Sequence, residues 1–468
     1  MPLGPPEPPR DPAPVLHGLT PQNEALARQV FELALARRRD TPPLNAPQPA
    51  AQLLPALAEA ITPRGVGGAA ALRLFAERIV PASISADHPG ALAFIPHAPS
   101  EAAIYADWLL SAFPAFAGAW HQGAGVIAAE NAALAWLGGL AGLPQGAGGS
   151  FVPGATLGTL SALHAARQQA RQASPAGPAT RWAVLGSREA HASVAAATRV
   201  LDVDWLAIEP GADFVLTGAA VRDALQSSLH AGGPRVCAVV ASAGTTNLGV
   251  IDDLPGIAAA CREAGVWLHV DAAYGGAVLV SPAARGRLAG IEHADSLVID
   301  PHKWLFAPYD SCALLFRDPA GAAQALAQHA EYIDPLHDED GCNPFHYGIH
   351  LSRRGRGLPL WFSLATYGTD AYAAAVDAAL ALTLEVVWAV RAEPLLELAV
   401  EPMLSVVAFH RRGWSAAEHR AWSQRLLHEG LAWIAPSRVR GRPALRLCLL
   451  NPRTHLDHLR AVLATLRD

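Results

Sequence analysis

Apolar positions along this chain follow two periods, and the change from one to the other divides it. Over residues 22–39 they recur at helical spacing, and after a proline-rich stretch at 41–49 the pattern of residues 50–80 is again helical. Residues 1–85 therefore read as a proline-rich segment, disordered over its first 15 residues, followed by a helical arm. From 86 to 365 short β-branched runs alternate with alanine-rich helical stretches, and strands are predicted at 182–186, 205–208, 236–242, 266–270 and 296–299. Strands separated by helix-length segments imply βαβ units and a mostly parallel sheet buried on both faces, an α/β fold whose ligands bind at the carboxyl ends of the strands. Residues 366–468 read as a small C-terminal α+β domain: a long helix at 370–391, an apolar segment at 404–410, a helix at 415–428 and a strand at 445–450.

Composition narrows the function classes. With 51% hydrophobic and 16% charged residues among 468, the chain has the makings of a large core and not of a solvated disordered polymer. A net charge of −6 supplies no field for a polyanion, so neither nucleic acid nor an acidic membrane surface is an expected partner. Asp377, Glu385 and Arg391 interrupt the most apolar stretch, and no membrane span is expected. The first residues lack a basic region followed by an apolar one, which places the protein in the cytoplasm. Five scattered cysteines suggest neither a disulfide framework nor a zinc knuckle.

One residue count changes the picture more than any of these. Of 35 basic residues only Lys303 is lysine; the rest are arginine. Arginine stays charged, whereas a buried lysine can shed its proton and act as a nucleophile toward a carbonyl. Lys303 lies in Ser296-Leu-Val-Ile-Asp-Pro-His-Lys-Trp304, just beyond a predicted strand, and Val266-Trp-Leu-His-Val-Asp271 carries a carboxylate off the end of another. Parallel strands bring these ends together. An amine and a carboxylate in one cavity suggest pyridoxal phosphate, whose aldehyde takes a lysine and whose ring nitrogen needs an acidic partner. A phosphate cradle is available in the glycine-rich run that ends at Gly154-Ala-Thr-Leu-Gly158, at the start of a helical pattern over 159–172.

The segments Asp271-Ala-Ala-Tyr-Gly-Gly276 and Asp300-Pro-His-Lys-Trp304, at this spacing, resemble the group II pyridoxal-phosphate decarboxylases, whose members act on aromatic L-amino acids, histidine and glutamate. The resemblance extends to His88-Pro89, Trp120, Glu189-Ala-His191, Gly244-Thr-Thr246 and the closing segment 445–454. It implies the aspartate aminotransferase-like fold and a homodimer with active sites at the interface, for which the helical arm supplies an apolar face. Carried over by position, Lys303 is the Schiff-base lysine, Asp271 the partner of the pyridine nitrogen and His191 the histidine stacked on the ring, with Ala273 on its other face. Gly154, Ala155 and Thr156 match the phosphate loop, Thr246 a residue on the hydroxyl side of the ring, and Asp300 and His302 lead into the lysine. Tyr332 falls where the family keeps a loop tyrosine that delivers a proton to the substrate. Phe94 and His97 fall in the part that lines the side-chain pocket, and Phe116 where a residue reaches the partner's pocket.

The activity implied is decarboxylation of an L-amino acid to its amine and CO₂, aromatic substrates being slightly favoured. Aldehyde synthesis or transamination on the same scaffold, or a polar or acidic substrate such as 2,4-diaminobutyrate, glutamate or aspartate, is the alternative. The phosphate segment lacks the serine-rich, glutamate-containing form common in the family, and Pro359 stands where relatives often have lysine. A rival constellation of His337, Asp338, Glu339, Asp340, Cys342, His346 and His350 is rich in metal ligands, but Gly341, Asn343 and Pro344 break any helix that would align them. A solvated active-site loop over 334–348 is expected there, and no metal.

Overall fold

Alternate residues along each central strand are apolar on both faces, and in the computed structural model these strands form the middle layer. Residues 16–173, 180–230, 232–331, 334 and 343–467 are described. The strands are β1 (Gly148–Val152), β2 (Trp182–Ser187), β3 (Asp204–Ile208), β4 (Arg235–Ser242), β5 (Trp267–Asp271), β6 (Ser296–Ile299) and β7 (Cys312–Phe316). They lie in the order β1-β7-β6-β5-β4-β2-β3. Strands β2 to β6 pair in parallel, while β7 is antiparallel to β6 and β1 antiparallel to β7. The five predicted strands are β2 to β6, each bounded within one residue of its expected limits.

Neighbouring residues of one strand serve opposite cores. Val239, Leu268, Val270 and Leu297 pack against the helices Trp120–Leu140, Gly218–His230 and Leu254–Ala264, whereas Val240, Ala238 and Val298 face Ala155–Ala173 and Ala192–Val200. This two-sided burial explains the continuous apolar reading of these strands.

A second, antiparallel sheet holds β8 (Leu396–Leu398), β9 (Val406–Arg411), β10 (Ser437–Val439) and β11 (Arg442–Cys448), in the order β10-β11-β9-β8. Its core joins Phe409 and Leu447 to Trp422, Leu459 and the long helix Thr369–Ala392 through Val386 and Val390. That helix is long and apolar enough to span a membrane by length and composition alone, where the sequence reading expected no such stretch. Its apolar residues are accounted for by packing: Tyr372, Val376 and Leu380 enter the main core, and Val386, Val387 and Val390 the smaller one.

The arm comprises the helices Pro21–Arg39, Ala50–Ala58 and Gly68–Leu74, none of which has a buried residue. It is tied to the body by Arg37 and Arg38, whose guanidinium groups each lie 2.7 Å from the Asp87 carboxylate. The first 15 residues lie outside the described part of the chain.

Candidate active site

The parallel ladder sets which side chains meet. Asp271, last residue of β5, is opposite Ser242 of β4 on one side and Val298 of β6 on the other, so the turn after β6 lands beside it. In that turn Lys303 N–H donates to the Asp300 carbonyl at 3.0 Å, folding the four residues back so that Lys303 Nζ lies 2.8 Å from Asp300 Oδ2. A cavity of about 240 Å³ opens here, lined by Lys303, Asp271, Asp300 and His302 from these strand ends and by Gly154 to Thr156 from the start of the Ala155–Ala173 helix. His191, Ala273 and Thr246 complete the expected set on its walls.

Electrostatics keep the amine charged in this arrangement. Burial alone would depress the Lys303 ammonium, but the charges of Asp300 and Asp271 outweigh it and hold its pKa above the ordinary lysine value. Asp271 Oδ1 accepts from the Ala273 N–H at 3.1 Å, and its second oxygen has no partner among the described residues. The other carboxylate, Asp300, is 3% exposed, and its Oδ1 is buried without a hydrogen-bond partner among the described residues.

Each histidine has its protonation pattern fixed by backbone. Nδ1 of His302 accepts from the Ser311 N–H at 3.0 Å, and Nδ1 of His191 accepts from the Ser193 N–H at 3.3 Å as the cap of the Ala192–Val200 helix. In both rings the neutral form therefore carries its proton on Nε2. His97 is reversed: its Nδ1 donates to the His302 carbonyl at 2.8 Å, and burial pushes its pKa down to about 4.

Beneath the cavity a buried polar chain joins the three elements that carry the key residues. Thr159, on the helix that begins at Ala155, lies 3.1 Å from Nε2 of His269 in β5; His269 Nδ1 lies 2.9 Å from Ser296 Oγ in β6, which also accepts from Trp267 Nε1 at 2.8 Å. On the far wall Tyr274 stacks on Trp304 with centroids 5.4 Å apart, and its hydroxyl accepts from Ser405 N–H at 2.8 Å, linking the strand ends to the second sheet.

Not every expected residue arrives. Phe94 has a left-handed φ of 54°, which turns the chain there, and its ring leans on Trp433 with centroids 5.5 Å apart, away from the cavity. Phe116 packs with Phe345 and Ala119. Neither Phe94 nor His97 lines the cavity, and Phe116 was expected at a partner's pocket, not this one. Tyr332 and the ligand-rich 337–342 lie outside the described residues. His346 is described in the short turn Pro344–Tyr347, and both ring nitrogens of His350 are buried without hydrogen-bond partners among the described residues. Sequence reasoning missed Ser242, Thr245 and Tyr274, which line the cavity, and Tyr309, which stacks on His97. Ser242 could have been found, since it ends a predicted strand just as Asp271 does. Gly244 explains why the Thr245 and Thr246 turn fits: φ there is 112°, and a Cβ would come within 2.7 Å of Leu404.

These residues fit pyridoxal phosphate. The N–H groups of Ala155 and Thr156 in the first helical turn are donors with no acceptor in the described chain, suited to a phosphate. Asp271, with an oxygen that makes no hydrogen bond among the described residues, can pair with the ring nitrogen, and Lys303, the one amine of the chain, opens on the same cavity.

Comparison with known proteins agrees with this geometry. Residues 72–412 match the model of the pyridoxal-dependent decarboxylase conserved domain. The chain is 31% identical to an aromatic-L-amino-acid decarboxylase of Bacillus atrophaeus over 81% of each chain. It is 35% identical to an L-2,4-diaminobutyrate decarboxylase of Rhizobium meliloti, over 85% of this chain and 81% of the relative. Among solved structures, Oryza sativa TDC with PLP and tryptamine superposes with a TM-score of 0.89 at 25% identity, covering 96% of this chain and 98% of the other. With lysine, carboxylate and phosphate cradle gathered at the strand ends as that family requires, the chain belongs to the group II pyridoxal-phosphate-dependent decarboxylases and is a carboxy-lyase.

Proposed function

We propose that the protein removes CO₂ from an aromatic L-amino acid, leaving the amine. The observation that carries this reading is the placement of Lys303, the sole lysine, beside Asp271 and Asp300 in a cavity that a helix N-terminus closes. Bound pyridoxal phosphate supplies an electron sink for the Cα–carboxylate bond. The chain's own residues do the rest. Asp271 holds a proton on the ring nitrogen through charge complementarity. The Ala155 and Thr156 N–H groups would hold the phosphate, and His191, with its proton on Nε2, would by the family resemblance stack on the ring. Tyr332, by the family resemblance, delivers the proton to Cα after CO₂ departs, with His191 as the alternative acid. Support for an aromatic side chain comes from the Bacillus relative, not from Phe94. The Rhizobium relative supports 2,4-diaminobutyrate as the second reading.

The test is product analysis of the loaded protein with each proteinogenic amino acid and 2,4-diaminobutyrate. Amine and CO₂ in equal amounts from an aromatic substrate support the reading; keto acid as the product refutes it in favour of transamination, and aldehyde in favour of an aldehyde synthase.

The same proposal includes a homodimer. Phe31, Leu54, Ile61 and Phe75 on the arm are each at least 46% exposed in a single chain, an apolar face that a second copy would cover. Sedimentation of an active monomer at assay concentration would refute it.

A further inference from the structure

A second cavity borders the chain just after Lys303. Its volume is about 250 Å³, and among the described residues it shares none of its lining with the cofactor cavity. One wall is the end of the lysine turn: Phe306 has a left-handed φ of 55°, and its carbonyl accepts from the Ser100 N–H at 2.8 Å. The Phe306 ring meets that of Tyr372 with centroids 5.9 Å apart, and Pro99 and Ala375 extend this apolar wall.

The opposite end is charged. Asp87 pairs with Arg37 and Arg38, Arg38 also holds Glu101, and Arg453 Nη2 donates to the Asp87 carbonyl at 2.6 Å. Burial would raise the Asp87 carboxyl, but the three guanidinium groups outweigh it and hold its pKa below the ordinary value, so it stays a carboxylate. Three positive groups thus meet two negative ones in these ion pairs, and the surplus falls on Arg453. Both Asp87 oxygens and Oε1 of Glu101 are taken by Arg37 and Arg38, whereas Nε and Nη1 of Arg453 make no hydrogen bond among the described residues and its side chain is 38% exposed. Ala371 and Tyr372, in the first turn of the Thr369–Ala392 helix, also line the cavity; that helix has no side-chain cap, and Asp370 in the same turn is not part of the lining.

A guanidinium with unused donors matches a carboxylate, and two rings match a flat apolar body. The volume lies below the roughly 300–1,000 Å³ of pockets for drug-sized ligands, which restricts an occupant to about one ring. A cationic head group would meet surplus charge of its own sign.

We propose that this cavity is an effector site for a small aromatic carboxylate, held by Arg453 and packed on Phe306, through which it acts on the turn that carries Lys303. The site is independent of which amino acid is decarboxylated.

Titration calorimetry with phenylacetate tests it, with acetate as the probe lacking the ring and benzyltrimethylammonium as the probe of opposite charge. In the cofactor-loaded protein phenylacetate binds saturably, about tenfold or more tighter than either. Arg453→Gln removes the free donors and Ala375→Leu fills the space beside Phe306; each weakens phenylacetate by about tenfold or more, and retention of the cofactor absorbance band shows that the variants are folded. Between empty and loaded wild-type protein the phenylacetate affinity differs by about fivefold or more, and by linkage the cofactor affinity changes by the same factor when phenylacetate is present. Absence of saturable binding, or equal binding of the cation, overturns the proposal. Binding that survives in both variants places the ligand elsewhere, the cofactor cavity included, and overturns it as well. Equal affinity in empty and loaded protein overturns the action on the Lys303 turn.

Discussion

Asp300 Oδ2 lies 2.8 Å from Lys303 Nζ and 3.6 Å from His302 Nε2, so one buried carboxylate addresses both residues of the His-Lys pair. Its charge helps hold the amine protonated, which is the unreactive form toward an aldehyde. Asp300→Asn removes that contribution, and the Lys303 pKa falls. Capture of pyridoxal phosphate by the empty protein then becomes faster at neutral pH, by about tenfold for each pH unit that the rate profile moves down. Stopped-flow absorbance from pH 6 to 10 measures the profile; one that stays in place shows that Asp300 does not set the amine's charge.

Arginine cannot replace the amine. In Lys303→Arg the absorbance band of lysine-bound cofactor is absent, and borohydride reduction of the wild-type protein fixes the cofactor to one lysine-containing peptide. Peptide mapping that finds cofactor on a different residue removes the basis of the assignment.

Tyr332→Phe tests the proton donor. Cofactor contacts lie on other residues, so binding and CO₂ loss persist, while amine formation falls by about 10² to 10⁴, the usual worth of a positioned general acid. In air, aldehyde and ammonia replace much of the amine, with O₂ consumed. An unchanged amine-to-aldehyde ratio and rate would transfer the role to His191 or solvent.

His269 is wholly buried between Thr159 and Ser296, and burial lowers its pKa to about 4 despite the opposing pull of Asp271. Between about pH 6.5 and 4 the unfolded chain therefore takes up a proton that the folded chain refuses, and stability falls as pH falls, by at most about 1.4 kcal/mol per pH unit from this residue. His269→Leu loses about 1–3 kcal/mol at pH 7 through the partners left unpaired, and loses that share of the acid sensitivity as well. Urea unfolding at pH 7 and pH 5 reads both; an acid sensitivity equal to that of the wild type would contradict the assignment.

Much of the large sheet was legible because its strands are buried on both sides and therefore apolar throughout, with helices between them. Asp271 and Lys303 could be placed together from the sequence since parallel pairing aligns strand ends. Strand β1 escaped notice because Gly148 and Gly149 read as a loop; Gly149 is there because a Cβ would lie 2.0 Å from the Leu314 carbonyl oxygen of β7. The surroundings of His97 were illegible for a different reason. His97 reaches its partners at positions 302 and 309 only through the tertiary fold, and the left-handed turn at Phe94 leaves no periodic trace in the sequence. Phe94, expected at the pocket, instead leans on Trp433, which precedes β10.

The Thr159–His269–Ser296 chain bears on how the molecule can move. It fastens the phosphate helix, the Asp271 strand and the Lys303 strand to one another through fully buried partners, so these three act as a single stiff floor in which no one element shifts without breaking a shielded hydrogen bond. Substrate-dependent rearrangement is thereby confined to the groups above that floor, such as the half-exposed Tyr309. Amide hydrogens of β5 and β6 should consequently exchange only by global unfolding, with or without amino acid present, while those around residue 309 exchange through local opening that a bound substrate suppresses.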